Sequence, residues 1–135
     1  MLSDRQVITI VRRHIESKFP KTCVACGRRY DSLADYLVRT RHLGDPVSAD
    51  EPFDQVHQTN ASAAISYASC ACGATLAITS SGFDFLTMSR LMHWAAALMA
   101  RRKMSMREVL RDLRSRIDEE VLREHHARQV GSAID

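Results

Sequence analysis

The four cysteines of this 135-residue chain form two short pairs that lie far apart in the sequence. Cys23 and Cys26 have two residues between them, Cys70 and Cys72 have one, and 43 residues separate the pairs. A glycine directly follows each pair. Two cysteines in a tight turn supply half of a tetrahedral thiolate site, and glycine tolerates the positive φ that such a turn needs. The pattern therefore predicts that a metal ion joins two distant parts of the chain.

Four thiolates are typical ligands of Zn²⁺ in closed, tetrahedral structural sites. Iron, either mononuclear or in an iron–sulfur form, is an alternative, and so is a metal-free state in which the cysteines pack as small hydrophobic residues. A closed site leaves no coordination position for water, which argues against hydrolytic metal catalysis. We therefore predict a structural zinc site formed by Cys23, Cys26, Cys70 and Cys72.

The string Cys23-x-x-Cys26-Gly27-x-x-Tyr30-Asp31 resembles the first knuckle of rubredoxins and of many zinc ribbons. The resemblance covers nine residues, and it implies a metal-ligand role for the cysteines in a zinc-ribbon-like core. Those families normally use CxxCG in the second knuckle as well, whereas this chain has a single residue between its last two cysteines. A rubredoxin would imply one-electron transfer by iron.

Helix signals occupy both ends of the chain. Ser3 and Gln6 form a capping-box pattern that predicts a helix over about 4–18, which ends before Pro20. A second short helix is expected from about residue 31, with Gly44 as its C-cap, followed by an acidic loop over 45–60. From about residue 87 the pattern predicts two further helices, the last with a capping box at Ser105, which frays after about residue 127.

Two apolar stretches, 63–68 and 75–79, flank the second cysteine pair and predict a β-hairpin. The fold class is therefore α+β: a zinc-ribbon-like core with a small antiparallel sheet, an N-terminal helix and two C-terminal helices. We divide the chain into a four-cysteine metal-binding domain over 1–86, a helical segment over 87–128 that packs on this domain or on a partner, and a frayed tail over 129–135.

Charge is distributed unevenly along the chain, although the net charge is only +3. Arg107, Arg111 and Arg114 are spaced to share one face of the last helix, with acidic residues interleaved. They form either a salt-bridged solvent face or, with Arg12 and Arg13, a surface that contacts phosphates. On the same helix Leu110, Leu113 and Ile117 begin an apolar seam, which packs on the protein's own core or on a second copy.

No recognised catalytic motif is present, so we expect a protein that is not an enzyme. His57 is a candidate additional ligand or a solvated loop residue, and His93 is expected to be packed or hydrogen-bonded. The early apolar run at 7–11 is too short for a signal peptide or a membrane span, which predicts a cytoplasmic protein with reduced thiols and no membrane partner.

The leading hypothesis is a small cytoplasmic regulatory or adaptor protein with a structural zinc site. Its helices would supply a surface for a protein partner or for homodimer formation. A nucleic-acid-binding transcriptional regulator is one alternative, and a thiol-based redox or metal sensor is another.

Overall fold

The computed structural model describes residues 1–48 and 64–134, and the side chains of 1–46 and 64–130. The described residues form four helices and six strands in an α+β arrangement, as the sequence predicts. In chain order the elements are α1 (Asp4–Glu16), β1 (Lys21–Thr22), β2 (Arg29–Tyr30), α2 (Leu33–Arg39), β3 (Arg41–His42), β4 (Val47–Ser48), β5 (Ala64–Ser69), β6 (Thr75–Thr79), α3 (Phe85–Arg102) and α4 (Met106–Ile134).

Side-chain caps begin the two long helices that the sequence identified by their capping boxes. In α1, Ser3 Oγ accepts a hydrogen bond from the N–H of Gln6 at 3.1 Å, and Gln6 Oε1 accepts one from the N–H of Ser3 at 2.8 Å. Ser105 and Glu108 make the same reciprocal pair at the start of α4. These bonds satisfy backbone donors that have no partner within the helix.

The strands form two antiparallel sheets. Strands β1 and β2 make a two-stranded hairpin, in which Lys21 lies opposite Tyr30. Strand β5 is the centre of the second sheet and pairs along one edge with β6 to form the predicted hairpin. Strands β3 and β4 share its other edge, because β3 pairs with 68–69 and β4 with 64–65.

Several element boundaries differ from the predictions. Helix α1 ends at Glu16, two residues early, and α3 begins at Phe85 after its N-cap Asp84. Gly44 does not cap α2: the extended backbone of Thr40 ends that helix, because the next two residues pair with β5. Within the predicted acidic loop, residues 47–48 form β4, whereas 49–60, including His57, lie outside the described residues.

Two hydrophobic clusters form the described core, and α1 and α4 contribute to both. The first contains residues of the sheets and α2 together with Ile8, Ile117 and Val121. The second joins α1, α3 and α4 around Val7, Trp94, Leu98 and Val109, among others. The apolar face of α4 thus packs on its own chain, as one of the two sequence hypotheses proposed.

The predicted division of the chain into domains after residue 86 remains a prediction, and so does the frayed tail over 129–135. Helix α4 is helical to Ile134.

Ion pairs between α1 and α4 reinforce this packing. Arg12 contacts Glu120 at 2.6 Å and Glu124 at 2.7 Å, and Arg5 contacts Glu120 at 2.7 Å. Hydrogen bonds from Arg5 and Arg12 lower the pKa of Glu120 to about 2, so this carboxylate is ionised at neutral pH.

None of the helices in the described part of the chain combines the length and apolar character needed to cross a bilayer.

Candidate metal centre

The first cysteine pair lies at the tip of the β1–β2 hairpin. The N–H of Cys23 donates to the carbonyl of Arg28 at 2.9 Å, and the N–H of Gly27 donates to the carbonyl of Cys23 at 2.8 Å. Gly27 has a φ of 79°, a conformation that costs a residue with a Cβ atom more than it costs glycine. The turn therefore has the backbone that the sequence predicted for a metal-binding knuckle.

The second pair lies at the tip of the β5–β6 hairpin and forms a shorter version of the same turn. The N–H of Cys70 donates to the carbonyl of Ala74 at 2.9 Å, and the N–H of Gly73 donates to the carbonyl of Cys70 at 2.9 Å. Gly73 has a φ of 93°. Both hydrogen bonds span one residue fewer than their counterparts in the first knuckle, which is how a CxC spacing still gives a closed knuckle.

The two hairpin tips bring the four sulfur atoms to one point. The Sγ atoms of Cys23 and Cys72 are 3.8 Å apart, those of Cys26 and Cys70 are 3.7 Å apart, and all four lie within 4.8 Å of one another. A tetrahedral zinc ion with Zn–S bonds of about 2.3 Å separates its sulfur ligands by about 3.8 Å. The four cysteines therefore form a possible metal site, in which two of the sulfur pairs already have the separation expected around a tetrahedral ion.

The site lies at the boundary between the core and the surface. Cys23 and Cys70 are buried and belong to the first hydrophobic cluster, whereas Cys26 and Cys72 are exposed. On the exposed side, Cys26 and Cys72 line an open depression together with Arg28 and Arg39. Solutes can reach two of the four sulfur atoms, and two cationic side chains lie beside them.

Hydrogen bonds to sulfur favour the thiolate form at the buried positions. The N–H of Cys72 and the hydroxyl of Tyr30, which lies 3.0 Å from Cys70 Sγ, lower the pKa of Cys70 to about 6. The N–H groups of Cys26 and Ala25 lower the pKa of Cys23. Amide donors that point at sulfur are the feature expected of a knuckle, and they prepare these cysteines to bind a cation.

Tyr30 is a component of the site that the sequence reasoning did not assign. Its side chain is fully buried, and burial together with Cys70 raises the pKa of its hydroxyl to about 12, so that it remains a proton donor. Its ring packs edge-to-face on Tyr36, with the Arg39 guanidinium 5.3 Å from the ring centroid. The available signal was a tyrosine four residues after the second cysteine, but its bond to Cys70 depends on the packing of the two hairpins.

The arginines proposed for anion binding lie on α4 and do not line the depression beside the sulfur atoms. Arg111 pairs with Asp45 at 3.6 Å. Arg114 pairs with Asp118 at 3.5 Å and donates to the carbonyl of Gly44 at 3.2 Å. Arg107 is exposed. Arg111 and Arg114, two of the three arginines predicted to contact phosphates, thus hold the β3–β4 turn against α4.

The remaining expectations concern Arg12, Arg13 and His93. Arg12 is engaged by the carboxylates of α4, whereas Arg13 is exposed. His93 is also exposed and makes no hydrogen bond to a described residue, so the expectation that it is packed or hydrogen-bonded was wrong. The next residue of α3, Trp94, is buried instead, and its indole N–H donates to Asp4 Oδ1 at 2.9 Å.

Comparisons of this chain with protein-family models, with curated proteins and with solved structures gave no match. The described structure therefore defines the protein only by class: an α+β protein with a possible four-cysteine metal site between two hairpins.

We predict that Tyr30→Phe weakens zinc binding by about tenfold or more, because it removes the hydroxyl that stabilises the Cys70 thiolate while it keeps the aromatic ring. Competition with a chromophoric zinc chelator at neutral pH measures the change. Tyr36→Phe is the matched control, since Tyr36 contacts the Tyr30 ring but makes no hydrogen bond to sulfur among the described residues. Equal zinc affinity of the two variants would contradict the assigned role of Tyr30.

Proposed function

We propose that the protein is a small, non-enzymatic regulatory or adaptor protein in which Cys23, Cys26, Cys70 and Cys72 bind a structural zinc ion. The observation that carries the proposal is the convergence of four sulfur atoms within 4.8 Å. The closed set of four thiolates favours Zn²⁺ and leaves no coordination position for a substrate.

The proposed ion has a mechanical role that follows from where its ligands lie. Cys23 and Cys26 lie at the tip of the two-stranded sheet, and Cys70 and Cys72 lie at the tip of the β5–β6 hairpin of the larger sheet. A metal ion bonded to both cysteine pairs would hold the segment after α1 against the β5–β6 hairpin. Since the unfolded chain lacks this arrangement, the free energy of metal binding adds to the stability of the fold.

We predict that Cys26→Ser abolishes stoichiometric zinc binding and lowers the melting temperature of the zinc-loaded protein. Cys26 is exposed, so the substitution removes a ligand with little change in core packing. Elemental analysis of protein purified without added metal gives the occupancy and separates zinc from iron, and calorimetry gives the melting temperature.

The metal-free proteins provide the control for this experiment. After treatment with a chelator, the Cys26→Ser protein and the unsubstituted protein should melt at the same temperature, because the lost stability comes from ligation alone. If the variant retains zinc and melts like the unsubstituted zinc-loaded protein, the structural-metal proposal fails.

The helical part of the proposal is supported by an exposed apolar pair at the start of α3. Phe85 is 89% exposed and Leu86 is 68% exposed, directly after the N-cap Asp84. Large adjacent apolar side chains at the surface are typical of a contact with another protein. We infer that they contribute to an interaction surface, which a second copy of the chain would fill if the protein is a homodimer.

We predict that the unsubstituted protein has the mass of a dimer in light scattering and that Phe85→Ser shifts it toward a monomer, because the variant removes exposed apolar area from the contact. Val130→Ser, which changes an exposed apolar residue on α4, is the control and should leave the mass unchanged. A monomeric mass of the unsubstituted protein at all concentrations would exclude the homodimer and leave only a different protein as partner.

A second candidate function, a thiol-based redox sensor, is favoured by the exposure of two of the proposed ligands. Peroxide can reach the Cys26 or Cys72 sulfur and oxidise it to a sulfenic acid, which then condenses with a neighbouring thiolate to a disulfide and hydroxide. Each exposed sulfur has a buried sulfur within 3.8 Å as the second partner. Nucleic-acid binding through Arg107, Arg111 and Arg114 stays a prediction.

For the sensor, we expect mild peroxide to release zinc and a reductant with added zinc to restore it, because the disulfide removes two ligands at once. A zinc-sensitive dye measures the release, and a thiol count measures the loss of two thiols per chain. Retention of zinc under conditions that oxidise an exposed thiol in a reference peptide would exclude this function.

A further inference from the structure

Two positive charges lie at the exposed edge of the sulfur cluster. Arg28 and Arg39 line the same open depression as Cys26 and Cys72. Arg28 is the second residue after Cys26, and its backbone N–H donates a hydrogen bond to the Cys26 sulfur. This bond holds the backbone of Arg28 beside a proposed metal ligand, so its guanidinium stays within the length of one side chain from that sulfur.

The two arginines differ in how far their charges are already compensated. Arg39 forms an ion pair with Asp35 at 3.0 Å, and its guanidinium lies 5.3 Å from the centroid of the Tyr30 ring. The side chain of Arg28 is exposed and has no ion pair or hydrogen bond with a described residue. The charge of Arg28 is therefore the one that is available to the sulfur atoms.

Both charges also act at the buried side of the cluster. Burial raises the pKa of Tyr30 to about 12, and the positive charges of Arg28 and Arg39 act in the opposite direction. The Tyr30 hydroxyl lies 3.0 Å from Cys70 Sγ. Because a Coulomb energy falls off only as the inverse of the distance, charges that act at this hydroxyl also act at the sulfur beside it.

A zinc ion does not neutralise four thiolates. Two positive charges meet four negative ones, so the zinc-loaded centre keeps an excess of negative charge. Two of its sulfur atoms are exposed, and the thiolate is the form of cysteine that attacks electrophiles. A neighbouring cation stabilises such a centre and makes its sulfur atoms weaker nucleophiles.

We propose that Arg28 compensates the negative charge of the zinc–thiolate centre, with Arg39 as the lesser contributor, and thereby strengthens zinc binding and limits attack on Cys26 and Cys72. The inference rests on the proposed zinc site and deepens it. Arg28 touches no metal ion itself and acts through the thiolates. It favours a structural zinc ion over one that oxidants release readily.

The first measurement is the zinc affinity of the full-length protein, by competition with a chromophoric chelator in low-salt buffer. Arg28→Gln should weaken zinc binding about two- to fivefold, whereas Arg28→Lys keeps the charge and should bind zinc like the unsubstituted protein. Arg29→Gln is the matched control, because Arg29 pairs with Asp31 at 2.7 Å and does not line the depression. At about 1 M salt the effect of Arg28→Gln should disappear, since the charges are screened.

The second measurement separates a charge effect from a loosened structure. The zinc-loaded proteins react with neutral iodoacetamide or anionic iodoacetate; in both reactions sulfur bonds to carbon and iodide leaves. Arg28→Gln should react faster with iodoacetamide, and the ratio of the iodoacetamide rate to the iodoacetate rate should rise about two- to fivefold, because the anion loses an attracting charge. A variant that only loosened the knuckle would accelerate both reactions alike and leave the ratio unchanged. Mass spectrometry measures both rates.

The inference is overturned if Arg28→Gln and Arg29→Gln have the same zinc affinity and the same rate ratio, or if Arg28→Lys behaves like Arg28→Gln. In both cases the unsubstituted protein still binds one zinc ion per chain, so the structural-zinc proposal stands. Absence of zinc from the unsubstituted protein would instead refute that proposal and this inference together.

Discussion

The meeting of two hairpin tips at four sulfur atoms is the constraint on which the rest of the structure depends. Cys23 follows α1 by only a few residues, and Cys70 lies at the tip of the central hairpin. Both are also core residues, packed in the same cluster as Ile117 and Val121 of α4. The contact between the knuckles therefore restricts where the C-terminal end of α1 lies relative to the β5–β6 hairpin.

Apolar packing and charge act together between the first and last helices. The residues of α1 that face inward contact α4, and Arg12, at the edge of this contact, binds two carboxylates of α4. In the sequence, Glu120 interrupts the apolar seam of α4. In the structure, Glu120 forms ion pairs with Arg5 and Arg12 of α1, so this polar position favours α1 as the helix on which α4 packs.

Local signals were sufficient for the four helices, for the β5–β6 hairpin and for the four cysteines, whereas strands β1 to β4 were not predicted. The cap at Ser3, the glycines of the knuckles and the apolar stretches around the second cysteine pair are properties of a few adjacent residues, and the structure agrees with each of them. The errors concern positions where distant elements decide. Thr40 ends α2 because 41–42 pair with a strand more than twenty residues away, a pairing that no local pattern encodes.

The same reason explains which site residues were missed. Tyr30 reaches the sulfur of Cys70 only because the two hairpins pack together. A sequence lists such residues as ordinary aromatic core positions. The Tyr30 hydroxyl acquires its chemical role from a neighbour that is 40 residues away in the chain.

The sharing of residues between the two hydrophobic clusters has a consequence for how the protein unfolds. Val11 and Leu113 pack against both clusters, so neither cluster can open without exposing part of the other. The halves of the chain should therefore behave as one cooperative unit rather than as two independent foldons. Amide hydrogen exchange in α3, which contributes no cysteine, would then respond to structural changes at the two cysteine knuckles.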